Sequence, residues 1–381
     1  MNGDDLELSV RTMDAFARRT GLEPARGRTR RYLWTDAFAV CVYLDLHRRT
    51  GEGRYLELAL RLVDQVHRVL GQHRPDDRRS GWISGLSGEE GTDHPTAGGL
   101  RIGKAMPERA EGEPADPMLE WEQDGQYYHY LTKWMHALER VAAATGEVRY
   151  LRWSLELAGA AHAHFAYPSS GRRKRMYWKM SIDLARPLVA SMGQHDALDG
   201  LATFLELSRA RERFPGQALP DLSGEIGELS AMARPGQWAT DDPLGAGALL
   251  ADAWKLMQAN GEGRALGEVL DAARLSVDHI ATFHDLSGPA EGRLAFRELG
   301  LSIGLHAVEA MGEAVGRGGA VGDRGTAERV DGLKHHIPLA ERIERFWSDP
   351  VNRGARTWEE HEDINAVMLA ASLGPGELLR I

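Results

Sequence analysis

The heptapeptide Thr50-Gly51-Glu52-Gly53-Arg54-Tyr55-Leu56 returns as Thr145-Gly146-Glu147-Val148-Arg149-Tyr150-Leu151. A weaker copy runs Asn260-Gly261-Glu262-Gly263-Arg264-Ala265-Leu266, and a degenerate one Met192-Gly193-Gln194-His195-Asp196-Ala197-Leu198. Each separates two helical patterns. The glycine suits the left-handed conformation that ends a helix, and the polar residues after it suit the start of the next. The motif therefore predicts a repeated helix–turn–helix. Before the first turn, Trp34 to Leu46 is apolar nearly all round, which predicts a helix buried on every side. After it, Tyr55, Leu56, Ala59, Leu62, Val63 and Val66 form one stripe. Arg54, Glu57, Arg61, Asp64 and Arg68 cover the opposite face, so this helix has one wet side. The second copy repeats the contrast, with 126–144 largely apolar or aromatic and 148–165 amphipathic.

Buried helices alternating with half-wet ones predict an inner ring wrapped by an outer ring. Inner helices are expected at about 34–49, 122–144, 179–192, 241–259, 296–314 and 358–373. Outer helices are expected at about 54–71, 148–166, 196–212, 264–284 and 324–347, with 4–19 as the sixth. The expected fold is all-α, an (α/α)6 toroid of six helical hairpins forming a single domain over residues 1–381. With these turns and this helix count, the chain resembles the six-hairpin glycosidase superfamily along essentially its whole length. The resemblance is one of fold. It implies a carbohydrate-active protein and carries no catalytic residue over, because the turns are structural.

Composition narrows the field. Lys plus Arg number 46 against 56 Asp plus Glu, a formal charge of −10. An acidic chain without basic runs argues against a nucleic-acid partner. The single cysteine, Cys41, excludes an intrachain disulfide and a Cys-rich zinc module. Met1 to Leu8 lacks an apolar leader-like run, and no stretch of about 18 apolar residues occurs. The expectation is a cytoplasmic protein with no membrane partner and no cofactor. The 15 histidines follow no metal-binding spacing, so no metal is expected; His335 and His336 fall on an outer helix and should be solvated.

The expected turns after inner helices are short, whereas the connections entering inner helices, such as 72–118, are long. Long loops of this kind are usually functional, so the ring end carrying inner-helix N-termini should hold the site. Those N-termini are rich in carboxylates and aromatic rings, a combination that suits sugars. Asp36, Asp124, Glu298 and Asp183 are the candidate catalytic carboxylates. Asp36 and Asp124 also suit helix capping, and Asp183 with Arg186, or Glu298 with Arg297, suit structural ion pairs. Candidate substrate-binding residues are Trp34, Trp82, Arg101, Lys104, Glu120, Gln126, Tyr127 and His129, then Lys179, Arg186, Arg297, His306, Trp358, Glu360 and His361. By helical spacing, Tyr127, His129, Lys133 and Trp134 cannot share one face, so some must line the site while others pack inside.

The expected chemistry is glycoside hydrolysis of a small-molecule or oligosaccharide substrate. One carboxylic acid protonates the leaving oxygen, and a second carboxylate activates water or attacks carbon. Two alternatives stand beside it. A sugar epimerase or isomerase would use His129, His306 or His361 for proton transfer, and a non-catalytic toroid would bind an apolar ligand.

Overall fold

A computed structural model describes residues 3–25, 29–169, 174–233, 238–259, 263–317 and 324–381. The chain runs through α1 (Gly3–Arg19), α2 (Leu33–Thr50), α3 (Gly53–Leu70), α4 (Gly88–Asp93), α5 (Pro117–Glu122), β1 (Gln126–Tyr127) and α6 (Tyr128–Thr145). It continues with α7 (Val148–Phe165), β2 (Ala166–Pro168), β3 (Lys174–Met176), β4 (Lys179–Met180), β5 (Pro187–Val189), α8 (Asp196–Ala210) and α9 (Ser223–Met232). Then come α10 (Pro243–Gln258), α11 (Gly263–Phe283), α12 (Ala295–Gly316), α13 (Arg324–Leu333), α14 (Pro338–Ser348), α15 (Arg356–Glu359) and α16 (Glu362–Ser372). Among the described residues, no helix is long and apolar enough to cross a membrane. Two compact units are distinguished: residues 17–47 with 51–233, and residues 1–16 with 48–50 and 234–381.

In the unit holding 51–233, the repeated turn has the expected geometry. Gly51 and Gly146 sit at φ 74° and 72°, and their N–H groups donate to His47 O and Ala142 O, both at 2.9 Å. A Cβ on either glycine would meet nothing within 4 Å. The demand for glycine is therefore set by the backbone alone. Gly51→Ala should cost about 1–2 kcal/mol in urea unfolding, and Gly51→Asn less, because asparagine tolerates this conformation. Equal stability of all three proteins would refute the reading. The third copy of the turn, at 260–262, lies outside the described residues. Helix α2 is buried almost continuously from Leu33 to Leu46, while α3 buries Tyr55, Leu58, Ala59, Leu62, Val63, Val66 and Leu70 along one stripe.

The third hairpin corrects the expectation. Residues 179–192 do not form a helix. Lys179 and Met180 pair antiparallel with Tyr127 and Gln126, and on their other side with Val189 and Pro187. Pro187 would have removed a hydrogen bond from a helix interior, and Leu184 takes a left-handed φ of 58°. The buried helix of this hairpin is α8, placed in the outer ring by its sequence. It buries Asp196–Phe204 continuously, then Glu206, Leu207 and Ala210. Its packing partners are α6 and the short α9. Helix α8 comes close to α6 at Gly200, where a Cβ would lie 2.4 Å from the Tyr128 hydroxyl.

In the other unit, α12 packs on α10, α14 and α16. Helices α10 and α12 meet backbone to backbone. A Cβ on Gly247 would sit 2.0 Å from the Gly300 carbonyl oxygen, and one on Gly304 would sit 2.5 Å from that of Gly247. The expected outer helix 324–347 is split into α13 and α14, with Pro338 opening the second piece. The last buried helix is interrupted at His361 between α15 and α16.

Candidate active site

Most of the residues expected to bind substrate in the first unit instead form a buried ion-pair lattice that ties the 72–118 segment down. Asp124 is fully buried at its centre. It accepts hydrogen bonds from Arg101 at 2.9 Å and Arg74 at 3.3 Å, and from the backbone N–H groups of Gly103 at 2.9 Å and Lys104 at 3.3 Å. Arg101 also donates to Val69 O and Gln72 O. Lys179, buried, donates to Gln123 O at 2.9 Å and meets Glu120 at 3.3 Å, while Glu120 also pairs with Arg109. Arg186 donates to the Arg109 carbonyl. Asp183 receives Arg79 at 2.5 Å and the Ser181 hydroxyl at 2.7 Å. Gln126 accepts from Leu100 N at 2.8 Å and donates to Gly98 O and Ile182 O. Asp36 caps its own helix entry through Tyr32 N at 2.9 Å and pairs with Arg31 at 3.3 Å. Trp34 packs on Phe38, Trp82 is buried against Gly91, and Lys104 lies 5.7 Å from the Tyr32 ring centroid.

In the second unit, Glu298 is buried and held by Arg293 at 2.6 Å and by the Trp347 indole N–H at 2.8 Å. Arg297 pairs with Asp242 at 2.7 Å, and His306 with Glu344 at 2.7 Å. Trp358 stacks on Trp347, Glu360 is exposed and pairs with Arg356, and His361 meets the edge of Phe296. Carboxylates held by arginines in this way have little lone-pair capacity left for a substrate.

A different constellation has the character of a site, and it forms where α6 and α8 begin. On α6, His129, Thr132 and Lys133 stand at i, i+3 and i+4 and share a face. They meet Asp196 and Asp199, which stand at i and i+3 on α8. Thr132 donates to Asp199 at 2.6 Å and Lys133 at 2.7 Å, while His129 Nδ1 lies 3.6 Å from Asp196 Oδ1. The Gly193 N–H donates to Asp196 at 3.2 Å. Trp134, one residue on, is fully buried and donates to His67. Along α6, His129, Thr132 and Lys133 thus face the α8 aspartates while Trp134 packs inside.

Aromatic rings frame this group. The Tyr127 and Trp178 rings both lie along the His129 imidazole, at centroid distances of 5.4 and 6.4 Å. Trp121, about half exposed at 52%, sets its edge on Trp178 at 4.8 Å. Tyr130 meets the Tyr32 hydroxyl at 2.7 Å. Of the residues expected from sequence, Tyr127 and His129 belong here. Asp196, Asp199, Thr132, Lys133, Trp121 and Trp178 were not among them. Two signals in the sequence point to the aspartates: polar residues at the head of an otherwise apolar helix, and Pro187 denying a helix to the preceding segment.

Burial pushes the Asp196 carboxyl up to about 7, the nearby Asp199 charge adds to the rise, and the Gly193 N–H pulls against it. Burial draws the His129 imidazole down to about 4, with Asp199 opposing and Lys133 assisting. Near neutrality the pair is thus a neutral imidazole beside a carboxylic acid that can still give up its proton. The raised carboxyl also affects stability. The folded state holds the Asp196 proton more tightly than the unfolded chain, so its stabilising contribution is full below about pH 4 and is lost as pH rises to about 7. Asp196→Asn should therefore gain stability relative to the wild type between pH 5 and pH 8, read from urea midpoints. A constant difference across that range would show that Asp196 is not perturbed.

A buried trio of possible metal ligands, His136, Glu139 and Glu206, also lies in this unit. Glu139 is paired there with Arg140 and Arg213, and two guanidiniums disfavour a cation at that point.

No protein-family description matches the chain, and no curated protein matches it. Solved structures do. The GH76A α-1,6-mannanase from Salegentibacter sp. HEL1_6 superposes with a TM-score of 0.51 at 12% identity, covering 99% of this chain and 100% of that one. A selenomethionine derivative of the GH76 α-mannanase of Bacteroides thetaiotaomicron gives 0.54 at 11% identity, covering 99% and 98%. An inactive variant of the Salegentibacter enzyme, bound to α-1,6-mannotetrose, gives 0.51 at 13% identity, covering 99% and 100%. The likeness is one of fold: the chain is all-α, with an (α/α)6 arrangement of helical hairpins.

Proposed function

We propose that this chain is a carbohydrate-active enzyme, a glycoside hydrolase in which Asp196 is the general acid. One observation carries the proposal: a buried carboxyl held near neutrality stands 3.6 Å from His129, whose imidazole lies along the buried Tyr127 ring and the part-open Trp178 ring, with the half-exposed Trp121 edge-on to Trp178. Such rings cover the apolar face of a pyranose, and an acid that titrates near working pH delivers a proton to a leaving oxygen. Asp199, fixed by Lys133 and Thr132, is the proposed second carboxylate. Asp36, Asp124, Glu298 and Asp183 are proposed to support the fold through their arginines. The inactive mannanase variant carries replacements at two consecutive aspartates. Of the three such pairs in this chain, Asp4–Asp5 opens the exposed start of α1, and Asp76–Asp77 and Asp241–Asp242 hold arginine partners at Asp76, Asp77 and Asp242, so the Asp196 and Asp199 pair is preferred. We propose an oligosaccharide or small sugar substrate and residues 1–381 acting as one domain.

The His129 and Asp196 pair also supports a second reading, sugar epimerisation with His129 as base and Asp196 as acid. A panel of aryl glycosides, α-linked oligosaccharides and free sugars separates the two. Release of reducing ends supports hydrolysis, and conversion of free sugars without cleavage supports epimerisation. Turnover of neither, with an apolar ligand bound, would defeat both.

A further inference from the structure

We propose a solvent-open site for a zinc-class divalent cation, formed by Asp278, His335 and His336, outside the site above and independent of it. Asp278 lies on α11; the two histidines occupy the short 3-10 turn between α13 and α14. One donor atom from each of the three falls within 4.8 Å of the other two. His336 Nε2 is 2.7 Å from Asp278 Oδ1, and His335 Nε2 is 4.0 Å from that same oxygen. The imidazoles lie side by side with centroids 3.8 Å apart. Contrary to the sequence expectation for both histidines, His336 is buried at 8%, while His335 stays open.

The donor set decides the class of ion. Two imidazoles and one carboxylate suit zinc, cobalt, nickel or copper and disfavour magnesium and calcium, which take oxygen ligands. With metal–ligand distances of about 2.0–2.2 Å, tetrahedral donors stand roughly 3.4 Å apart. The 2.7 Å separation must open and the 4.0 Å separation must close by similar small amounts. Both movements are available, because the His335 and Asp278 side chains are 64% and 43% exposed. Three protein ligands leave a position for water or a ligand group. His335 and His336 also line a surface cavity together with His284, Asp285 and Arg342. Arg274 lies 3.9 Å from the other Asp278 oxygen, so Oδ1 is left for the ion.

The test is titration of the chelator-treated full-length protein with Zn²⁺ alone, followed by calorimetry, and with Co²⁺, followed by its visible absorption. One equivalent should bind, and Mg²⁺ should not compete. His335→Ala removes an exposed ligand without disturbing packing and should weaken Zn²⁺ binding by at least about tenfold, as should Asp278→Asn. Asp285→Asn, which lines the cavity without ligating, should bind like the wild type. Failure of the wild type to bind Zn²⁺ would overturn the proposal, as would undiminished binding by His335→Ala and Asp278→Asn.

Discussion

With Asp196 as the proposed acid, Asp196→Asn is expected to lower turnover by about two to four orders of magnitude, the usual cost of losing a positioned acid, while the protein stays folded. The amide keeps the shape of the carboxyl and retains an oxygen to accept the Gly193 N–H, so the head of α8 is preserved. It cannot release the proton that a leaving oxygen requires. The wild-type rate should fall as pH rises past about 7, as the acid form of Asp196 is depleted. The residual rate of the variant should lack that limb. Substrates with good leaving groups, which need less protonation, should lose less. The measurement is kcat and kcat/KM for aryl glycosides of graded leaving-group pKa, with circular dichroism confirming the fold. A variant with full activity and an unchanged pH profile would remove Asp196 from the mechanism.

Asp124→Ala is expected to produce the opposite phenotype, loss of stability. Asp124 is 0% exposed and joins two guanidiniums to the backbone of the segment entering α6. Removing one partner of a buried pair strands the other charges and costs about 3–5 kcal/mol. For a cooperative unit of this size that corresponds to a midpoint lower by about 6–20 °C. The loss should be accompanied by faster proteolysis within 72–125, because Arg74 and Arg101 would no longer clamp it. Asp124→Ala with wild-type stability and lost activity would reverse the two assignments, making Asp124 the reacting group and not a support. The two aspartates are a matched pair of experiments: one lowers rate with the fold retained, the other lowers stability.

How much of this was legible beforehand differs by level. The Thr-Gly-Glu turns and the contrast between Trp34–Leu46 and Tyr55–Leu70 depend on interactions only a few residues apart. A left-handed cap and a 3.6-residue apolar period leave direct marks in sequence. The position of the third hairpin was harder to read. The 196–210 segment is buried all round, yet it carries Asp196, Asp199 and Glu206, whose charges imitate a wet face. Their partners, Lys133, Thr132 and His136, lie on a different helix.

The sequence by itself determined the all-α class, the repeated turn and the periodicity that separates the buried from the half-wet helix in the first two hairpins, because these follow from local backbone preferences and side-chain spacing. Only the tertiary structure decided which carboxylates are saturated by arginines. Asp124 and Asp196 each precede or begin a buried helix, and their local sequences do not rank them. The difference comes from residues far along the chain: Arg74 and Arg101 saturate the first, while the second is left with a neutral imidazole and a cover of aromatic rings. Burial and the Asp199 charge, outweighing the opposing Lys133, are what raise the Asp196 carboxyl toward neutrality, and they are properties of the packed fold.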